Sequence, residues 1–233
     1  MVKKVIKAAI KAEVVKPVPR VVDIYHGDNV EGKDCVDGFQ QASDYGIWGI
    51  IHKATQGTSY ADSAYNRRRK AAEKVGLLWG AYHFNTGDDI RTQANFFLKT
   101  AAPDDKTLMV LDFEDNKRNN MSVHEAVSFM KMIEDKTGRS CAIYSGNRLK
   151  DTISDLSKDE FAYLTSKKLW ICQYGPKAVV PKGFGKYWLW QFTGDGIGPL
   201  PHYVPGISVP GGNGIDINVY LGTQEQLIKE WSE

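Results

Sequence analysis

From residue 21 onward, short apolar runs alternate with longer amphipathic stretches. The runs at 21–25, 47–54, 77–84, 107–113, 141–144, 169–173, 187–192 and 214–217 are four to eight residues long and rich in β-branched and aromatic side chains. Apolar residues at consecutive positions over such lengths predict strands buried on both faces, as in a parallel sheet. Between the earlier runs, 36–45, 63–75, 90–100 and 122–136 carry helical periodicity. Gly76 and Gly138 follow the second and fourth of these, where a left-handed cap favours glycine, and Ser122 with Glu125 forms a capping-box pattern. Strand followed by helix, repeated to about eight strands, predicts the α/β class and a single irregular TIM-like β/α barrel. The rhythm degrades after Gln173: residues 176–186 are too short and too rich in Pro and Gly for a crossover helix, and 194–212 reads as a long Gly/Pro loop. A last helix is expected over 223–231.

The N-terminus has a different pattern. Val2, Val5, Ile6, Ala9 and Ile10 recur at helical spacing among Lys3, Lys4, Lys7 and Lys11, which suits either a helix on an anionic surface or a solubilising extension. The extension is the favoured reading, because terminal segments are poorly ordered unless tied down. Pro17 and Pro19 punctuate the chain, giving a basic extension at 1–19 and a barrel domain at 20–233. Lys7 interrupts the apolar residues before a signal-peptide core forms, so no cleaved signal is expected. No apolar run approaches the roughly 20 residues that span a bilayer, so no integral membrane segment is expected.

Composition changes this picture little. With 42% hydrophobic and 25% charged residues, the 233-residue chain has the make-up of a globular enzyme domain. A net charge of +2 is too mild for a nucleic-acid partner but permits an anionic polymer as substrate. Cys35, Cys141 and Cys172 are odd in number and widely spaced, which argues against a disulfide framework and a zinc site. Cys141 and Cys172 read as small apolar residues on buried strands.

The acidic residues carry the chemistry. Asp112 and Glu114 close the run TLMVLDFED, and strand alternation turns both to one face with Phe113 on the other. Asp23, in VVDIYHG, and Asp216, in GIDINVY, end or occupy the first and last strands. First and last strands of a closed barrel are neighbours, so four carboxyls are expected at one rim. Like charges in proximity raise one pKa, which is how a carboxyl keeps a proton for a glycosidic oxygen. Neither a phosphate loop nor a basic ligand cluster accompanies the acids, as magnesium-dependent phosphotransfer would require. Tyr82, Tyr144, Trp170, Tyr174, Trp188 and Trp190 lie on or just beyond predicted strands and offer ring faces to sugars. Alternation separates Trp188 and Trp190 from Gln191, so these three cannot all line one pocket.

The stretches VVDIYHG, IIHKATQGTSYADSAYNRRRKAAEKVGLLWGAYHF, LMVLDFED, CAIYSGN, LWICQY, WLWQFT and GIDINVY, in this order over about 21–222, resemble glycoside hydrolase family 25, the Chalaropsis-type lysozymes of bacteria and phages. The resemblance implies an irregular β/α barrel that cleaves the β-1,4 bond between N-acetylmuramic acid and N-acetylglucosamine without a metal or organic cofactor. It makes Glu114 the general acid, with Asp112 orienting the acetamido group or assisting a water, and Asp23 and Asp216 holding the pair and contacting substrate. Tyr82, Tyr144, Trp170, Gln173, Tyr174 and Trp190 are the expected substrate-binding residues. The expected partner is the peptidoglycan glycan strand, met by a monomer made in the cytoplasm and acting on the wall by endolysin-like release or non-classical export. Two residues along a strand advance roughly 6.6 Å, between the separations typical of retaining and inverting enzymes, so spacing leaves the stereochemistry open.

The chain departs from the family at Gln56, which stands in KATQG where KATEG is frequent, removing a carboxylate near the cleft. Two alternatives remain: a catalytically inactive binder of wall sugars, and a hydrolase of chitin-like polymers.

Overall fold

The structure, a computed structural model, describes residues 18–116 and 119–233. Residues 1–17 of the expected basic extension lie outside the described residues. Eight strands form a closed ring: β1 (Arg20–Ile24), β2 (Ile47–Gln56), β3 (Leu78–Phe84), β4 (Leu108–Asp112), β5 (Ala142–Ser145), β6 (Leu169–Cys172), β7 (Leu189–Thr193) and β8 (Asp216–Tyr220), with β8 pairing back onto β1 and β1 onto β2. Around them run α1 (Val36–Asp44), α2 (Tyr65–Val75), α3 (Ile90–Ala101), α4 (Val123–Thr137), α5 (Asn147–Thr152) and α6 (Lys158–Thr165), and α7 (Gln224–Glu230) follows the last strand.

Alternation divides the apolar side chains into two cores. Outward-facing Ile50, Met109, Leu111 and Ile143 pack under the helices with Phe39, Phe97, Phe129 and Ile133. Inward-facing Val21, Ile51, Leu108, Val110, Ala142, Trp170 and Leu189 fill the barrel. The floor is sealed by Trp231, 1% exposed, whose indole nitrogen donates to the Trp79 carbonyl at 2.8 Å. Gly49 makes room for this ring, since a Cβ there would lie 2.9 Å from it. Burying each such large apolar side chain contributes about 1.5–3 kcal/mol.

Helix ends follow local chemistry. Gly76 and Gly138 adopt left-handed φ values of 85° and 67° as C-caps, and Ser122 and Glu125 form a complete capping box on α4. A second complete box, Ser157 with Glu160, starts α6. Neither α5 nor α6 is anticipated by the sequence reading, although the S-x-x-E pattern at 157–160 is a legible start signal.

Two features correct the all-parallel expectation. The last strand runs antiparallel to both neighbours, with Asp23 and Asp216 as register partners on β1 and β8. Its residues are also shifted, Asp216–Tyr220 rather than 214–217. The physical reason is the missing crossover: the 194–212 loop supplies no helix to carry the chain back under the sheet, so β8 returns from the upper rim. That loop is tied down through Ile207 and Ser208, which pair with Val30 and Asn29. Gly206, at φ 78°, allows close approach, because a Cβ there would meet the Gly38 carbonyl at 2.2 Å.

Candidate active site

The upper rim collects polar ends of strands whose lower portions are apolar. Asp23 comes next to last on β1, and its carboxylate receives Gln191 Nε2 at 3.0 Å on each oxygen and Asn218 Nδ2 at 2.7 Å. The Tyr144 hydroxyl donates to Gln191 Oε1 at 2.7 Å, and Trp170 Nε1 donates to Asn218 Oδ1 at 2.6 Å. Inward positions on β5, β6, β7 and β8 thus form one hydrogen-bonded belt around the base of Asp23. The Tyr144 and Trp170 rings sit in contact, with centroids 4.3 Å apart.

Asp112 is the last residue of β4 and is 6% exposed. Its Oδ1 is buried with no hydrogen-bond partner. Glu114 lies two residues past the strand end, and the expected alternation persists: Asp112 and Glu114 line the cleft while Phe113 packs in the outer core. Local hydrogen bonds shape this exit: Asn85 Nδ2 donates to the carbonyls of both Asp112 and Glu114 at 2.9 Å, and the Phe113 amide donates to the Tyr144 carbonyl at 2.8 Å. The resulting cleft, about 230 Å³, is lined by Asp23, Asp112, Glu114 and Asp216 together with Tyr25, Lys53, Tyr82, Phe84, Tyr144 and Trp170.

Electrostatics favour retained protons. Burial is the main cause at every acid. It pushes Glu114 up to about 6, helped by Asp115 and Asp195. Asp23 rises to about 7 even though its amide donors oppose the shift. Asp216 rises to about 9, with Asp23 the next cause. Asp112 is also raised, by burial and then by Glu114, while the Lys53 ammonium works in the other direction. Lys53 Nζ donates to Gln56 Oε1 at 2.7 Å and lies 4.7 Å from the centre of the Phe84 ring. Carboxyls that stay protonated near neutrality beside others that share the charge can donate a proton to an ether oxygen and support the positive charge that develops as the bond breaks.

Of the residues expected to bind substrate, Tyr82, Tyr144 and Trp170 line the cleft. Tyr174 closes in on Asp216 from above β6: a Cβ on Gly194 would lie 2.1 Å from Asp216 Oδ1 and 2.5 Å from the Tyr174 hydroxyl. Gln173 and Trp190 are elsewhere. The Gln173 amide oxygen is occupied by Lys150 Nζ at 2.8 Å and the Val179 amide at 3.0 Å. Trp190 packs on the outer core, against Tyr187 and Phe192, with Nε1 donating to the Gln173 carbonyl at 2.8 Å. Alternation on β7 decides this, because Gln191 takes the inward position. Lys53, Asn85, Gln191 and Asn218 escaped the sequence reading as site residues. For Gln191 and Asn218 the available signal was a polar residue at an inward position of an otherwise apolar strand.

Among the described residues, no group of three or more His, Cys, Asp or Glu side chains is placed to hold a metal ion, and no helix is long and apolar enough to cross a membrane.

The family described as Glycosyl hydrolases family 25 matches residues 22–199. The chain is 31% identical over 180 residues to Uncharacterized protein YegX of Escherichia coli (strain K12), covering 75% of this chain and 60% of that one. It is 27% identical over 191 residues to Lysozyme M1 of Streptomyces globisporus, covering 76% and 60%. The chain therefore spans about 60% of the length of the curated relatives it matches. Among solved structures, a family GH25 lysozyme from Aspergillus fumigatus superposes with a TM-score of 0.72 at 26% identity, covering 93% of this chain and 100% of that one.

Proposed function

The chain belongs to glycosyl hydrolase family 25, and from that premise we propose that it is a muramidase cutting the β-1,4 bond between N-acetylmuramic acid and N-acetylglucosamine in peptidoglycan. The observation that carries the assignment of roles is the placement of Glu114 in the cleft beside Asp112, with its pKa pushed up to about 6. Glu114 donates its proton to the glycosidic oxygen as the bond to the anomeric carbon breaks. Asp112, with a buried oxygen left without a partner, supports the charge that develops on the sugar, by holding the 2-acetamido group or by assisting the incoming water. Asp23 and Asp216 position the sugar opposite this pair, and Tyr82, Tyr144 and Trp170 offer ring faces to it. On this reading the protein works as a monomer on the cell wall.

The test is clearing of a suspension of purified cell walls, with analysis of the new reducing ends. Muramic ends are expected. Glucosamine ends would indicate a different specificity, and no new ends a binding protein. Glu114→Gln removes the proton donor while keeping the side-chain shape. Its expected effect is a rate loss of about 10²–10⁴-fold with native circular dichroism, and full activity in that variant would overturn the role given to Glu114.

A further inference from the structure

A second concavity opens beside the cleft on the same rim. The hairpin turn after β2 and the loop after β3 border a groove of about 530 Å³ whose lining includes Gln56, Thr58, Ser59, Tyr60, Thr86 and Asp88. It adjoins the cleft at two points. Lys53, a cleft residue, donates to Gln56 Oε1 at 2.7 Å. The Tyr60 hydroxyl lies 2.9 Å from His26 Nδ1, and the His26 ring meets edge-on the ring of Tyr25, another cleft residue.

The two concavities differ in chemistry. Five aromatic rings, Tyr25, Tyr82, Phe84, Tyr144 and Trp170, line the cleft and suit the faces of sugars. The groove has one ring, Tyr60 at the junction, and is otherwise amide, hydroxyl and carboxylate. Such groups match the amides of an extended peptide rather than a stacked sugar. Its volume falls in the range of roughly 300–1,000 Å³ in which pockets take a drug-sized ligand. A positive charge, Lys53, stands at its inner end. A negative one, Asp88, borders it further out, held by the Thr86 hydroxyl at 2.7 Å.

We propose that this groove binds the stem peptide carried by the muramic sugar of the strand being cut, with Asp88 meeting the side-chain amine of a diamino acid in that peptide. The inference rests on the muramidase reading. A substituent on a sugar held over Asp112 and Glu114 has to leave the cleft sideways, and the groove continues the cleft past Lys53 and Gln56. The enzyme then recognises peptide-bearing strands as well as the sugar at the scissile bond.

The full chain is given two substrates: intact wall, and the same wall stripped of its peptides by an amidase. For each, kcat/KM is measured from reducing-end release. The wild type is expected to prefer peptide-bearing strands by about tenfold, a factor set by about 1.4 kcal/mol. Asp88→Arg, which reverses the charge, and Ser59→Trp, which fills the groove, are each expected to narrow that preference severalfold. Equal losses on both substrates would make the groove a glycan site, and an unmoved preference would leave it without a ligand; either overturns the proposal. Titration calorimetry with the free stem peptide supplies a readout apart from cutting. Binding to the wild type that is lost in Ser59→Trp is expected, and no binding overturns the proposal even if cutting is normal. Binding without any cutting of either wall would overturn the muramidase reading instead.

Discussion

A carboxyl whose pKa is pushed up to about 6 by burial and by Asp115 and Asp195 donates a proton readily only while it still holds one. The rate under saturating substrate should therefore be high below pH 6 and fall as the pH rises through that value. A pH profile of kcat checks this, and a profile flat from pH 5 to 8 would contradict it. At this scale the sequence was informative about identity and less so about placement. Asp112 and Glu114 were legible because a strand ends in acids. The hydrogen bond that ties down the strand exit was not, since its donor to the Glu114 carbonyl is Asn85, 29 positions earlier. Trp190 was misplaced because an aromatic on a strand fits either face, and only the register of β7 decides which.

Arg68 shows how an element distant from the cleft supports its wall. It sits on α2, is 3% exposed, and directs Nη1 to the Tyr25 carbonyl at 2.6 Å and Nη2 to the Asp28 carbonyl. Nη1 also lies 3.1 Å from His52 Nε2. Because His52 Nδ1 faces the Lys53 carbonyl at 2.7 Å, Nδ1 carries the hydrogen and Nε2 accepts. Burial, which pushes His52 down to about 4, keeps the ring neutral for this. The guanidinium thus fastens the turn after β1, and with it Tyr25. In Arg68→Met the buried Asp28 carbonyl loses its donor, at about 1–3 kcal/mol, and the Tyr25 carbonyl is left with the Asp28 amide at 3.1 Å. The expected result is a lower Tm together with a higher KM, as Tyr25 loosens; thermal unfolding and wall-clearing kinetics measure the two. Elements that repeat were legible: seven strands and four crossover helices are anticipated to within a few residues. What escaped notice lacked the repeat. The segment holding α5 and α6 carries short helices, and the direction of β8 follows from a loop whose path no local pattern encodes.

For the molecule as a whole, a ring of strands draws together acids far apart in the chain, and that arrangement costs stability. Unfolded aspartate titrates near 4, whereas folded Asp23 is raised to about 7 and Asp216 to about 9. Between those values the native state holds protons that the unfolded state has lost. Stability is therefore greatest at the acidic end of the window and is lost as the pH rises from about 4 through 7 and 9. Asp216→Asn removes the more strongly perturbed group. At pH 8 it is expected to raise Tm, by roughly 2–4 °C for each kcal/mol of relieved repulsion and desolvation, and to have no such effect at pH 4. Calorimetry at the two pH values tests this, and a Tm gain equal at both would contradict it. The barrel class was legible from alternation alone, whereas this penalty was not: it depends on burial, which a strand pattern suggests but does not quantify.

Residues 18 and 19 enter beneath β1, where the Pro19 carbonyl accepts from the Tyr220 amide at 3.0 Å. Glu233 lies at the same end, past Trp231, with its carbonyl 2.8 Å from Lys168 Nζ. Both attachment points thus face away from the mouth. Fused to a carrier through residue 233, the barrel would present its opening outward, away from the carrier.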